Sequence, residues 1–145
     1  MAEKYPALLD RFLSYVKVET RSDPESNTIP TSPKELTLLK QLMAELSALG
    51  LSEVRMGEQN AIVMATLPSN LDHEAPVMGL LAHVDTADFN AAGVNPQIVQ
   101  NYDGQPIQLG DGTYTLDPAE FPNLRNYLGQ TLITTDGTTL LGADD

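Results

Sequence analysis

Apolar positions along the first fifth of the chain recur with helical spacing. Leu8, Leu9, Phe12, Leu13 and Val16 form one stripe, with Asp10, Arg11 and Lys17 elsewhere, and predict an amphipathic helix over Tyr5 to Val18. The polar, proline-broken stretch RSDPESNTIPTSP, residues 21–33, reads as a loop. Ser32-Pro33-Lys34-Glu35 then has the form of a capping box with proline at the first helical position. The helix it opens carries Leu36, Leu39, Leu42, Met43 and Leu46, and Gly50 suits the left-handed conformation that ends a helix.

Short strands are predicted at Glu53 to Met56 and Ala61 to Leu67, joined by GEQN as a hairpin. After the loop PSNLDHEAP, the run from Val77 to Ala82 is apolar without alternation, the pattern of a strand covered on both faces. From Asp88 to Gly112 the chain is rich in Gly, Asn, Asp and Pro, with short strands predicted in NPQIVQNY and PIQLG. Asp117-Pro118-Ala119-Glu120 signals a helix start and Gly129 a stop. Thr131 to Thr134 and Thr138 to Leu141 predict two strands around an Asp136-Gly137 turn. Helices followed by a doubly buried strand indicate an α/β layer architecture.

Composition narrows the function classes. With 145 residues and 41% hydrophobic content, one ordinary domain with a core is expected. Twenty acidic residues against 8 basic give a net charge of −12, a field that repels nucleic acid and anionic lipid and is compatible with cations. Cysteine is absent, which excludes disulfides and thiolate metal sites and fits a reducing compartment. The opening MAEKYPALLDRF lacks a basic stretch followed by an apolar one, so neither a leader nor a membrane span is expected, and the cytoplasm is the default location.

Candidate chemistry lies where apolar runs end. In PVMGLLAHVDT, His83 and Asp85 are one residue apart and would share a face if the strand continued through them. The carboxyl end of an interior strand is where open α/β sheets bind ligands. A neutral imidazole suits zinc, and a neighbouring carboxylate fixes its tautomer and raises its basicity. H-x-D is a short pattern, and a structural His–Asp hydrogen bond is the alternative. Asp144 and Asp145 follow Gly142-Ala143, small residues that let a chain turn sharply at a strand end. The carboxylate of Asp144 could bridge two metal ions, or the pair could form a solvated acidic turn. The chain stops on this acidic pair, directly after an apolar strand, so a piece of something longer is expected. His73, in LDHEAP, reads as a solvated surface histidine. No Gly-x-x-x-x-Gly-Lys-Ser/Thr or Gly-x-Ser-x-Gly pattern occurs, and Ser32 and Ser69 sit in capping or loop contexts.

GLLAHVDT, GVNPQIVQNYDG and LGQTLITTDGTTLLGADD together resemble the peptidase T family, the tripeptide aminopeptidases among the dinuclear-metal M20 peptidases. The resemblance runs from the first helix to Asp145. It implies that residues 1–145 are the N-terminal portion of a zinc-peptidase-like catalytic domain, a mixed sheet flanked by helices, with the rest of that domain and a lid and dimerisation domain lying beyond.

The resemblance further implies that His83 binds one zinc ion, that Asp85 is an active-site residue orienting it, and that Asp144 bridges two zinc ions, while Asp145 is not a ligand. The general-base glutamate and the remaining ligands would lie beyond Asp145. For the intact enzyme it implies a homodimer that releases the N-terminal residue from tripeptides, with two zinc ions per active site. Two alternatives stand beside this reading: a non-catalytic α/β binding or interaction module, and a related M20 dipeptidase or deacylase.

Overall fold

The computed structural model describes residues 5–57 and 59–143. They form two compact units, one built from residues up to Glu19 together with Phe89 onward, the other from Thr20–Asp88. The element order is α1 (Leu8–Tyr15), α2 (Glu35–Ala48), β1 (Ser52–Met56), β2 (Val63–Thr66), β3 (Gln97–Val99), β4 (Ile107–Leu109), β5 (Tyr114–Leu116) and β6 (Leu132–Thr134), with 3-10 turns at Pro122–Tyr127 and Leu141–Ala143. Helices and strands are both present, as expected of an α/β chain. The strands pair in three separate two-stranded antiparallel sheets, β1–β2, β3–β6 and β4–β5.

In the 20–88 unit, α2 begins and ends on chemistry written in the sequence. The Glu35 carboxylate accepts from the Ser32 backbone N–H at 3.0 Å and from the Thr31 hydroxyl at 2.8 Å, which satisfies a donor that the helix start leaves over. Bonds from the N–H groups of Glu35, Leu36 and Thr37 to carbonyls three residues back make the entry tight, so regular helix starts at Glu35 rather than at Pro33. At the other end Gly50 takes φ +85°. Its N–H donates to Ser47 and that of Leu51 to Leu46, the two bonds of a Schellman cap. Leu38 and Leu39 are buried, and α2 packs against β1 and β2. Full burial of such a side chain contributes about 1.5–3 kcal/mol. The β1–β2 hairpin pairs Arg55 with Met64 and Met56 with Val63, with an irregularity between Ser52 and Arg55 where Glu53 takes φ +53°.

The predicted strand at Val77 to Ala82 does not form. The segment is irregular, and Val77 and Leu81 are 100% and 96% exposed. No strand among the described residues pairs with it. An unbroken apolar run favours a strand only when neighbours on both edges and cover on both faces are present, and here neither is.

In the other unit, α1 spans Leu8–Tyr15 and is shorter than the predicted Tyr5 to Val18. Ala7 at its N-cap has no side chain able to accept from the first free N–H groups. Tyr102, Ile107 and Leu109 form a buried cluster with Val99, Leu116, Leu124 and Leu132 packed around it. β3 and β6 align Ile98 with Ile133, and β4 and β5 align Gln108 with Thr115. The predicted helix after Asp117 is instead a turn, closed by Phe121 N–H to Asp117 O at 2.8 Å, followed by the 3-10 stretch Pro122–Tyr127. Pro122 has no N–H to continue an α-helical ladder. The predicted strand at Thr138 to Leu141 is also absent; β6 pairs with β3, and residues 138–141 run into the 3-10 turn. Among the described residues no helix is long and apolar enough to cross a membrane.

Candidate functional site

His83 and Asp85 lie in irregular chain within the 20–88 unit, and they do meet. Strand alternation does not bring them together, as the sequence pattern suggested. The backbone turns so that Nδ1 of His83 lies 2.8 Å from the Asp85 carbonyl oxygen and 3.2 Å from its carboxylate Oδ1. Both oxygens only accept, so Nδ1 carries a proton and donates. In the neutral ring Nε2 then holds the lone pair, the form in which a histidine ligates a metal through Nε2. The side chains are 58% and 46% exposed, so the ring is accessible to an ion.

This donor set fits one histidine ligand with its orienting carboxylate. It is not a complete metal site: no group of three or more His, Cys, Asp or Glu side chains that could hold an ion occurs among the described residues. Asp144, the expected bridging carboxylate, and Asp145 lie outside the described residues. The run leading toward them is tied within its own unit by the Thr139 hydroxyl donating to the Asn90 carbonyl at 2.7 Å and by Ala143 N–H to Leu140 O at 3.0 Å.

Directly after Asp85 the chain is gripped by residues that the sequence pattern did not single out. Thr86 forms a parallel bridge with Arg21. Its N–H donates to the Thr20 carbonyl at 2.9 Å, and its own carbonyl accepts from the Ser22 N–H and hydroxyl, each at 3.0 Å. Arg21 closes the contact on Asp88, with Nε at 2.8 Å and Nη2 at 2.6 Å from the same Oδ1. Separations of 64 to 67 residues leave no local signal for these contacts.

His73 behaves as a surface histidine, 67% exposed, with Nδ1 2.9 Å from its neighbour Asp72. Asp136 and Gly137 form a turn without catalytic geometry. The Thr138 hydroxyl and N–H, together with the Asn95 side chain, hold the Asp136 carboxyl below its ordinary range. A groove of about 820 Å³ lined by Leu109, Tyr114, Leu116, Phe121 and Leu141 includes neither His83 nor Asp85. Among the described residues that line it, Glu120 is the one carboxylate and there is no histidine.

The chain is 65% identical over 143 residues to the peptidase T of Limosilactobacillus fermentum, 56% over 144 residues to that of Latilactobacillus sakei, and 57% over 143 residues to those of Streptococcus pyogenes. The chain is similar to peptidase T. Each match covers 98% of the chain and 35% of the relative, so the chain spans about a third of the length of the peptidase T proteins it matches. No family model matches the chain.

Proposed function

We propose that the chain supplies part of the metal site of a zinc-dependent tripeptide aminopeptidase, a cytoplasmic M20-type hydrolase that works as a homodimer when intact. The observation that carries this reading is the doubly held Nδ1 of His83, in a chain 56–65% identical to peptidase T proteins. When bound, a pair of divalent ions supplies Lewis-acid activation of water and of the scissile carbonyl. This chain's part is to present ligands. His83 would bind through Nε2, because Asp85 keeps the proton on Nδ1. The Asp85 carboxylate would raise the ring's basicity, as outer-shell carboxylates do for metal-bound histidine. Asp144 would offer two carboxylate oxygens to the same site. The net charge of −12 favours the ammonium terminus of a short peptide over anionic ligands.

The test is zinc content and hydrolysis of a tripeptide panel by a peptidase T-length polypeptide carrying this chain, compared with its His83→Ala form. The reading expects loss of hydrolysis and of tightly held zinc with the fold intact by circular dichroism. Wild-type activity in His83→Ala would remove it. A second reading, a non-catalytic interaction module, is favoured by the lack of a cluster of three metal-binding side chains among the described residues. It expects neither zinc nor hydrolysis in the longer polypeptide.

A further inference from the structure

We propose that Arg21 and Ser22 are positioning residues for His83, holding the chain just after Asp85 so that the Asp85 carbonyl faces the imidazole. The geometry stands by itself; its consequence for metal binding rests on the function proposed above.

The acceptor nearest to the ring is a backbone carbonyl, at 2.8 Å, rather than the carboxylate at 3.2 Å. That carbonyl belongs to the same planar peptide as the Thr86 N–H. In a trans peptide C=O and N–H point in opposite directions, so fixing one fixes the other. The Thr86 N–H is fixed on Thr20 O at 2.9 Å, which turns the Asp85 carbonyl toward His83. The next peptide is fixed as well, because the Thr86 carbonyl accepts two bonds from Ser22. Arg21 lies between these two anchors in sequence and reaches across to Asp88, two residues beyond the clamped Thr86.

Buried surroundings reinforce the grip. Thr20 is buried, and the Thr86 hydroxyl is enclosed without a hydrogen-bond partner among the described residues. The Arg21–Asp88 pair is about half exposed, and pairs of that kind contribute little to global stability. Its effect should therefore register in the ring rather than in the melting temperature.

The experiment uses the 145-residue chain, labelled with nitrogen-15, as wild type, Arg21→Gln, Ser22→Ala and the exchanged double variant Arg21→Asp/Asp88→Arg. Long-range proton–nitrogen spectra, recorded where the rings are neutral, read the tautomer of each histidine; calorimetric titration with Zn²⁺ reads affinity. The proposal expects one Nδ1–H tautomer at His83 in wild type. It expects a mixture of tautomers in Arg21→Gln and Ser22→Ala, with Zn²⁺ binding weaker by about tenfold. The ring signals of His73 should stay put, and the exchanged pair should restore those of His83. Wild-type His83 ring signals in folded Arg21→Gln and Ser22→Ala would overturn the proposal. Ser22→Ala removes a single hydroxyl, so it keeps the test open should Arg21→Gln fail to fold. If Zn²⁺ leaves the wild-type His83 ring unmoved, the metal reading fails, while the tautomer comparison still decides the clamp.

Discussion

Asp85 offers the His83 ring two acceptors at once, its carbonyl oxygen at 2.8 Å and its carboxylate at 3.2 Å from Nδ1. The two have different jobs. A neutral carbonyl can fix the tautomer, but only the carboxylate adds negative charge that makes the ring a stronger base. Asp85→Asn keeps the carbonyl and loses the charge. His83 should therefore retain its Nδ1–H tautomer in nitrogen-15 spectra while Zn²⁺ affinity falls by about tenfold. Unchanged affinity would show that the carboxylate does not tune the ring.

Gly110 takes φ +52°, and a Cβ there would overlap the carbonyl of Asp136. Both the left-handed backbone and the collision oppose any side chain, and the obstacle is main chain that cannot rotate away. Gly110→Ala should destabilise by about 2–3 kcal/mol, combining left-handed strain with overpacking. Urea unfolding of the two forms measures this, and a midpoint shift near zero would mean that the loop relaxes freely.

Tyr102 is 2% exposed at the centre of its cluster, and its hydroxyl has no partner among the described residues. An unpaired buried hydroxyl costs about 1–3 kcal/mol. Tyr102→Phe removes the group and keeps the ring, so stability should hold or rise by about 1 kcal/mol. A clear loss in thermal unfolding would reveal that the hydroxyl is bonded.

Asp136 and Asp111 titrate below the ordinary aspartate value, each because the hydroxyl and N–H of the threonine two residues on donate to the carboxylate. The folded pKa is the lower one. Each group therefore adds stability above the unfolded value of 3.8, and that stability is lost as pH falls through the folded value. The stability gap between wild type and Asp136→Asn should be widest near about pH 6 and should close toward about pH 3. An equal gap at both would rule out the ionised carboxylate as its source.

These outcomes bear on how far the sequence reaches. α2 was legible because its signals are local: Glu35 three residues after Ser32, and Gly50 where the chain must turn left-handed. The β1–β2 hairpin and β3, β4 and β6 were legible for the same reason. β5 escaped notice because Tyr114–Leu116 is three residues set between turn signals, and only its pairing with β4 makes it a strand. The closeness of His83 and Asp85 was foreseen, but by strand alternation, whereas a turned backbone produces it. The grip of Arg21, Ser22 and Asp88 was not foreseen, since nothing within a few residues of Thr86 signals it.

The Val77–Ala82 run shows how composition depends on partners. Met78, Leu80 and Leu81 are each more than four-fifths exposed, a contiguous apolar stretch of the kind that promotes association. The side chains make few packing contacts to lose, and surface substitutions of this type alter stability by about 0.5 kcal/mol or less. Leu80→Lys should therefore leave the unfolding midpoint in place. It should lower the binding of a hydrophobic dye and raise the concentration at which the chain aggregates, since a charge within an apolar segment opposes self-association. A large loss of stability in Leu80→Lys would place Leu80 in a core, against its exposure; unchanged dye binding would locate the accessible apolar surface elsewhere.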